Sequence, residues 1–175
     1  QAGLKELQRK YPEQGQIALL LTNGYLHQKN FDSSLVQLRL AAEDHEILPS
    51  MVAQVTMKVF ELIDDPLKWE QANQLANHWL MIYPSEPRFL AIQGDLFVSA
   101  TKLEEGQRYY LQAARMGEPK YEVWARIIQL DFELNAIDSA TVHAKEALLY
   151  FPTQGFLNFQ MGFARYLQGN HADAL

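Results

Sequence analysis

Glu146-Ala147-Leu148-Leu149-Tyr150-Phe151-Pro152 ends on an aromatic–proline pair, and the same pair occurs at Tyr11-Pro12 and Tyr83-Pro84. Proline has no amide proton to give a helix interior and its ring clashes with the preceding turn, so each pair reads as a helix end. From Pro84 to Pro152 is twice 34 residues, and from Pro12 to Pro84 is twice 34 plus four. Working outward, Val123, Trp124, Ile127, Leu130 and Leu134 fall at three- and four-residue spacings, as do Leu35, Leu38, Ala41 and Ala42. That is the period of an amphipathic helix, and strand-like alternation is almost absent. Turn signals at Asn30, Pro49, Asp64-Asp65-Pro66, Pro84, Glu118-Pro119, Asn135, Pro152 and Gly169-Asn170 cut the chain into short helices. The reading is an all-α pile of antiparallel helices.

Small residues recur on the same step. Gly94 and Gly162 fall in the first helix of a pair, and Ser34, Ala72, Gly106, Ala140 and Ala174 share one place in the second. Helices approach closely only where one offers a small side chain to a bulky neighbour. A helix-interior glycine costs about 1 kcal/mol against alanine, so its recurrence points to packing. A 34-residue helix–turn–helix period with this pattern resembles the tetratricopeptide (TPR) family. Trp124, Ala140, Ala144, Ala147 and Pro152 fit one repeat; Gly94, Phe97, Tyr110 and Ala113 fit the one before; Ala72 and Pro84 fit the second helix of an earlier one. Met161-Gly162 and the stretch Gly169 to Leu175 look like another opening, and Tyr25 with Lys29-Asn30-Phe31-Asp32 has the same turn chemistry. The pattern is imperfect. Thr22, Phe60 and Ile128 stand where the first helix wants a small residue, Trp79 stands where Ala113 and Ala147 do, and Glu46 and Glu118 replace proline. Four extra residues are placed between Ala42 and Met51.

The resemblance implies a right-handed superhelical solenoid of antiparallel helix pairs, about five repeats long and covering residues 1–175 as a single array. Its repeats are read at about 15–48, 53–86, 87–120, 121–154 and an incomplete 155–175, with 1–14 ending a preceding repeat. Neither end carries the polar cap such arrays need, so the chain reads as a segment of a longer array, or one that associates with itself through uncapped ends. The sequence of the Val123–Leu130 and Glu146–Pro152 stretches is most similar to bacterial TPR proteins, which are often exported or lipid-anchored.

Composition restricts the function. A net charge of −6 with no basic cluster argues against a nucleic-acid partner, which needs a basic face. No apolar run approaches the roughly 18 residues of a membrane span. The absence of cysteine removes disulfides and thiolate metal sites and leaves the compartment, cytoplasmic or exported, open. No hydrolase elbow, phosphate-binding loop, dinucleotide fingerprint or zinc-protease motif occurs. His27, His45, His78, His143 and His171 stand apart, without the convergence a metal needs, and read as solvated. Asp64-Asp65 before Pro66 reads as a helix cap and Glu104-Glu105 as a helix start, both favoured by the dipole. No catalytic residue, cofactor or metal is expected.

In the TPR family one side of each first helix lines a concave groove where peptides dock, so the resemblance implies a non-catalytic scaffold binding a partner protein or peptide. The alternative is a non-catalytic module of a larger exported or envelope-associated bacterial protein. Phe156, Phe159, Phe163 and Tyr166 form one stripe at spacings of three, four and three, which would line a groove or cover a following repeat. With Arg88, Asp95, Arg126, Gln129 and Phe132 on the corresponding side of earlier first helices, they make the candidate partner-binding set. Some family members clamp a carboxylate with Lys, Asn and Arg on three first helices. The places here hold Leu19, Asn23, Lys58, Arg88 and Ile92, two of them without the polar group, and the next set holds Met57, Glu61, Ile92, Glu122 and Arg126. The sequence therefore does not carry that clamp.

Overall fold

The computed structural model describes residues 2–169. Among them the chain forms ten helices and no strand. It divides into two compact units, Gln1–Leu96 and Phe97–Leu175. The first holds α1 (Ala2–Lys10), α2 (Gly15–His27), α3 (Phe31–Ala42), α4 (Pro49–Phe60), α5 (Pro66–Ile82) and most of α6 (Pro87–Ser99). The second holds α7 (Leu103–Ala114), α8 (Tyr121–Glu133), α9 (Ile137–Tyr150) and α10 (Gly155–Leu167). The opening read at Asn170 to Leu175, with His171 and Ala174, lies outside the described residues.

Helix starts keep the 34-residue step: Gly15 to Pro49, then Pro87 to Tyr121 to Gly155. The turns keep it too. Thr101, Asn135 and Gly169 each have a left-handed backbone, with φ of 59°, 56° and 80°, at the same place after the first helix, and Lys29 (φ 52°) repeats it after α2. That conformation reverses the chain within three residues, and it is costly for a β-branched residue. Thr101→Gly is therefore expected to stabilise the chain by about 1 kcal/mol, raising Tm by about 3 °C, with thermal melts as the check. An unchanged or lower Tm would contradict this.

Pro49 starts a helix instead of ending one, because at the first helical position its missing N–H has no partner to lose. The four extra residues therefore lie after α4 and not between Ala42 and Met51. Set beside the segment that begins at Tyr121, α5 is three residues longer, 17 against 14 for α9, and the connection before it is two longer while α4 is one shorter than α8. Asp65 caps α5 as expected: its Oδ1 accepts from the Lys68 N–H at 2.8 Å, with Pro66 next in line. Asn30 likewise caps α3 through the Ser33 N–H, at 3.0 Å. The N-terminus of α2 is capped from outside: the Gly15 N–H donates to Asp44 Oδ2 at 2.7 Å. A Cβ on Gly15 would meet Asp44 Cβ at 2.6 Å and the Ala41 carbonyl at 2.8 Å, so only glycine fits this approach. The Glu46 and Gly15 amides hold the Asp44 carboxyl below its usual range.

With α4 in register, Thr56 takes the small-residue place that the sequence frame gave to Phe60. Thr56 is fully buried, and Phe60 is the half-buried last residue of α4. Thr22 holds the same place in α2. Each threonine folds its hydroxyl back onto the carbonyl four residues earlier, Thr22 to Ala18 and Thr56 to Val52, both at 2.8 Å. The polar atom is satisfied inside the helix and the side chain presents its methyl as a small apolar surface. Ile128 is buried as well, so the place tolerates size in α8.

The core of the first unit gathers Ala18, Leu38, Ala41, Val52, Ala72, Leu75, Trp79 and Phe89. Trp79 is fully buried and its indole N–H donates to the Thr56 hydroxyl at 3.1 Å. Tyr83, of the aromatic–proline pair, stacks on Phe89 at 4.7 Å and donates from its hydroxyl to the Ala42 carbonyl at 3.2 Å. Burial, and then the nearby Asp44 charge, push its phenol up. The core of the second unit is built where α9 packs on both α8 and α10. Ala140, Ala144 and Ala147 are fully buried there with Trp124, Ile127, Ile128, Leu130 and Leu157.

Candidate functional site

Two surfaces among the described residues combine exposed apolar groups with polar ones, one in each unit. In the second unit, α8 and α10 lie side by side, and Phe132 from α8 meets Phe163 from α10 with ring centroids 5.4 Å apart. Phe163 stacks on Phe159 one turn earlier, at 6.2 Å with planes 2° apart. Phe159 is 67% exposed, an unusual position for a phenylalanine already paired in parallel with another. Tyr166 is exposed on the same helix and Phe156 is half-buried.

Beside this patch on α8, Arg126 donates to Gln129 Oε1 at 3.4 Å and to Glu133 Oε1 at 3.2 Å. The guanidinium is partly neutralised by Glu133, so the patch is less cationic than Arg126 alone would suggest. The structure thus brings together Phe132, Phe159 and Phe163 of the sequence-derived set, and Arg126 and Gln129 bond to each other on α8, the helix that carries Phe132. Arg88 and Asp95 sit on α6, in the other unit. Arg88 is exposed and pairs with Glu86 at 3.5 Å, and Asp95 is exposed two turns further along the same face.

The first unit contains a cleft that sequence reasoning missed. It is about 420 Å³, lies between α2 and α4, and is lined by Gln16, Leu19, Leu20, Asn23, Met51, Gln54, Val55 and Lys58. Leu19 and Val55 are buried at its floor, while Leu20 and Met51 stand 55% and 44% exposed. Three of the residues examined for a carboxylate clamp, Leu19, Asn23 and Lys58, do meet here; Arg88 and Ile92 do not line it. The missed signal was register: one 34-residue step from Leu20 reaches Gln54 only when α4 starts at Pro49.

The histidine reading needs one correction. His143 is not a solvated side chain: its Nδ1 lies 2.7 Å from Asp131 Oδ2, with the His143 side chain 12% exposed and Asp131 fully buried. Gln107 Nε2 donates to the other oxygen of Asp131 at 2.8 Å, so α7, α8 and α9 are tied through one carboxylate. Asp131 and His143 are both helix-borne, and with Asp131 fully buried and Gln107 on its other oxygen the pair reads as structural. No helix among the described residues is long and apolar enough to cross a membrane.

No family model matches the sequence, and no curated protein matches it. The fold has clear counterparts among solved structures. YrrB, described as a TPR protein with an unusual peptide-binding site, matches with a TM-score of 0.64 at 13% identity, over 98% of this chain and 87% of that one. A MamA structure matches with a TM-score of 0.68 at 9% identity, over 93% and 87%. PilF of Pseudomonas aeruginosa matches with 0.60 at 17% identity, over 91% and 71%. The fold of this chain is that of the TPR proteins, an all-α helical repeat.

Proposed function

We propose that this chain, with its TPR fold, is a non-catalytic interaction module that holds a segment of a partner protein on the exposed sides of its first helices. The observation that carries this reading is the Phe159–Phe163 pair with Phe132 beside it. These are large apolar rings at the surface, and Arg126 and Gln129 on the helix of Phe132 are assigned to orient a bound chain. Aromatic anchors flanked by a few polar groups are the usual composition of sites where most binding energy is concentrated. The likeness in fold to YrrB, which is described by its peptide-binding site, supports a peptide as the occupant. Arg88 and Asp95 are assigned to the same kind of surface on α6. The likeness to PilF of Pseudomonas aeruginosa supports a bacterial origin.

The test uses a random peptide library displayed on phage and selected on the purified chain, followed by affinity measurement of the selected peptides. Phe159→Ala is expected to weaken selected peptides by about tenfold or more, as loss of an aromatic anchor does, and Arg126→Ala by less. Val142→Ala, at an exposed position of α9, serves as the control and should leave affinity unchanged. Equal binding by the parent and Phe159→Ala would remove this patch from the function.

A further inference from the structure

We infer that the outer face of α10 is a self-association surface, on which two copies of this chain pair antiparallel about a two-fold axis. The face is uncovered where its counterparts are covered. Gly162 takes the place of Thr22, Thr56, Gly94 and Ile128 in the earlier first helices; all four are buried, and Gly162 is only half-buried. Helical geometry sets Gly155, Phe159, Gly162 and Tyr166 on one side of α10, opposite the buried Leu157 and Ala164. Phe159 and Tyr166 stand 67% and 56% exposed, and a Cβ on Gly155 would meet nothing within 4 Å.

Large rings alternate with bare backbone along this face, and the alternation is self-complementary. An axis crossing α10 between Gln160 and Met161 sets Tyr166 of each copy opposite Gly155 of the other, and Phe159 opposite Gly162. Each ring then enters the space that a glycine leaves, as a knob enters a hole between closely packed helices. A foreign helix would need no such match between the rings and glycines of one chain. Phe163, stacked on Phe159 at 6.2 Å, extends the contact along one edge. Charge does not oppose it: the chain carries −6, yet Arg165 is the sole charged residue of α10. At roughly 200 Å² per aromatic side chain, the exposed parts of Phe159, Phe163 and Tyr166 amount to roughly 300 Å² per copy. Two such faces, with the glycine backbone between them, approach roughly 1,000 Å², the lower limit of a specific and reversible contact. The pairing is isologous, the commonest closed arrangement of identical chains. It goes beyond partner binding and regulates it: the dimer covers Phe159, so a partner segment must compete with a second copy.

Sedimentation velocity of the purified chain at increasing concentration should show a reversible dimer, with a dissociation constant on the order of 1 μM to 1 mM. Gly155→Leu, which the open space at that position admits within one copy, should weaken the dimer about tenfold or more. Tyr166→Ala should weaken it as well. The double variant exchanges ring and hole and should recover most of the parent's dimer, which neither independent sites nor a misfolded variant would do. A chain that stays monomeric up to about 1 mM would overturn the inference and leave the face to the partner segment proposed above. So would a dimer indifferent to Gly155→Leu, or single losses that merely add in the double variant. The selected peptides test partner binding independently of these results, so the two readings fail separately.

Discussion

Replacing Trp79 with alanine is expected to cost about 3–5 kcal/mol, a large part of the roughly 5–15 kcal/mol that holds an ordinary domain together. The result would run against the repeat pattern, since Ala113 and Ala147 occupy the same place in α7 and α9. The reason is local. Around Trp79 the first unit has adapted to the indole: Thr56 takes its N–H at 3.1 Å, and Phe89 and Tyr83 lie with ring centroids at 6.3 Å and 6.5 Å. Alanine would leave a cavity that rigid helices cannot close and a threonine oxygen without its donor. Trp79→Phe should lose less, keeping most of the volume and forfeiting the bond. Urea denaturation of the three proteins measures both effects. A loss under about 1 kcal/mol for alanine would mean that the α4/α5 pair closes up freely, and the packing account would fail.

The second large effect is expected at Asp131. A buried carboxylate that loses its partners, or partners that lose their carboxylate, cost about 3–5 kcal/mol, because the groups left behind cannot return to water. Asp131→Ala removes the acceptor for Gln107 and the partner of His143 at once, and should destabilise the second unit by about that amount. Asp131→Asn keeps an oxygen for Gln107 and should cost less. A double-mutant cycle with Gln107→Ala isolates their coupling, expected at about 0.5–3 kcal/mol for groups in direct contact. Strict additivity would show that Gln107 and Asp131 are neighbours without being partners.

How far the sequence could be read follows from these two sites. Periodic features were legible: the 34-residue step, the buried alanines of α9, and the Asp65 cap each have a local chemical signature. The register of α4 was not, because a proline between two helices can end one or begin the next, and Pro49 begins one. That single choice moved Phe60 into a place held by Thr56 and separated Gln54 from Leu20, which hid the α2/α4 cleft. The Asp131–His143 pair left no signal at all. Its members sit on different helices with ordinary polar neighbours, and only the packing of α8 on α9 brings them together. The aromatic patch lay between these cases. The α10 stripe was plain from spacing, while the meeting of Phe163 with Phe132 depended on how α10 lies beside α8.

The lengthened α5 gives an otherwise periodic molecule a landmark. Three added residues advance a helix by about 4.5 Å and turn it through about 300°, some 60° short of a full revolution. The start of α5 is therefore carried outward and slightly round, and it is fastened there by the Trp69 indole, which donates to the Leu96 carbonyl at 3.0 Å. Elsewhere one repeat could be exchanged for another with little mismatch at the joints. Here the exchange would be uneven, since a helix of the length of α9 would begin at Trp69 and lack the turn of residues 66–68 that precedes it. In a chain of similar repeats, such a helix works as a bookmark: it marks which repeat is which.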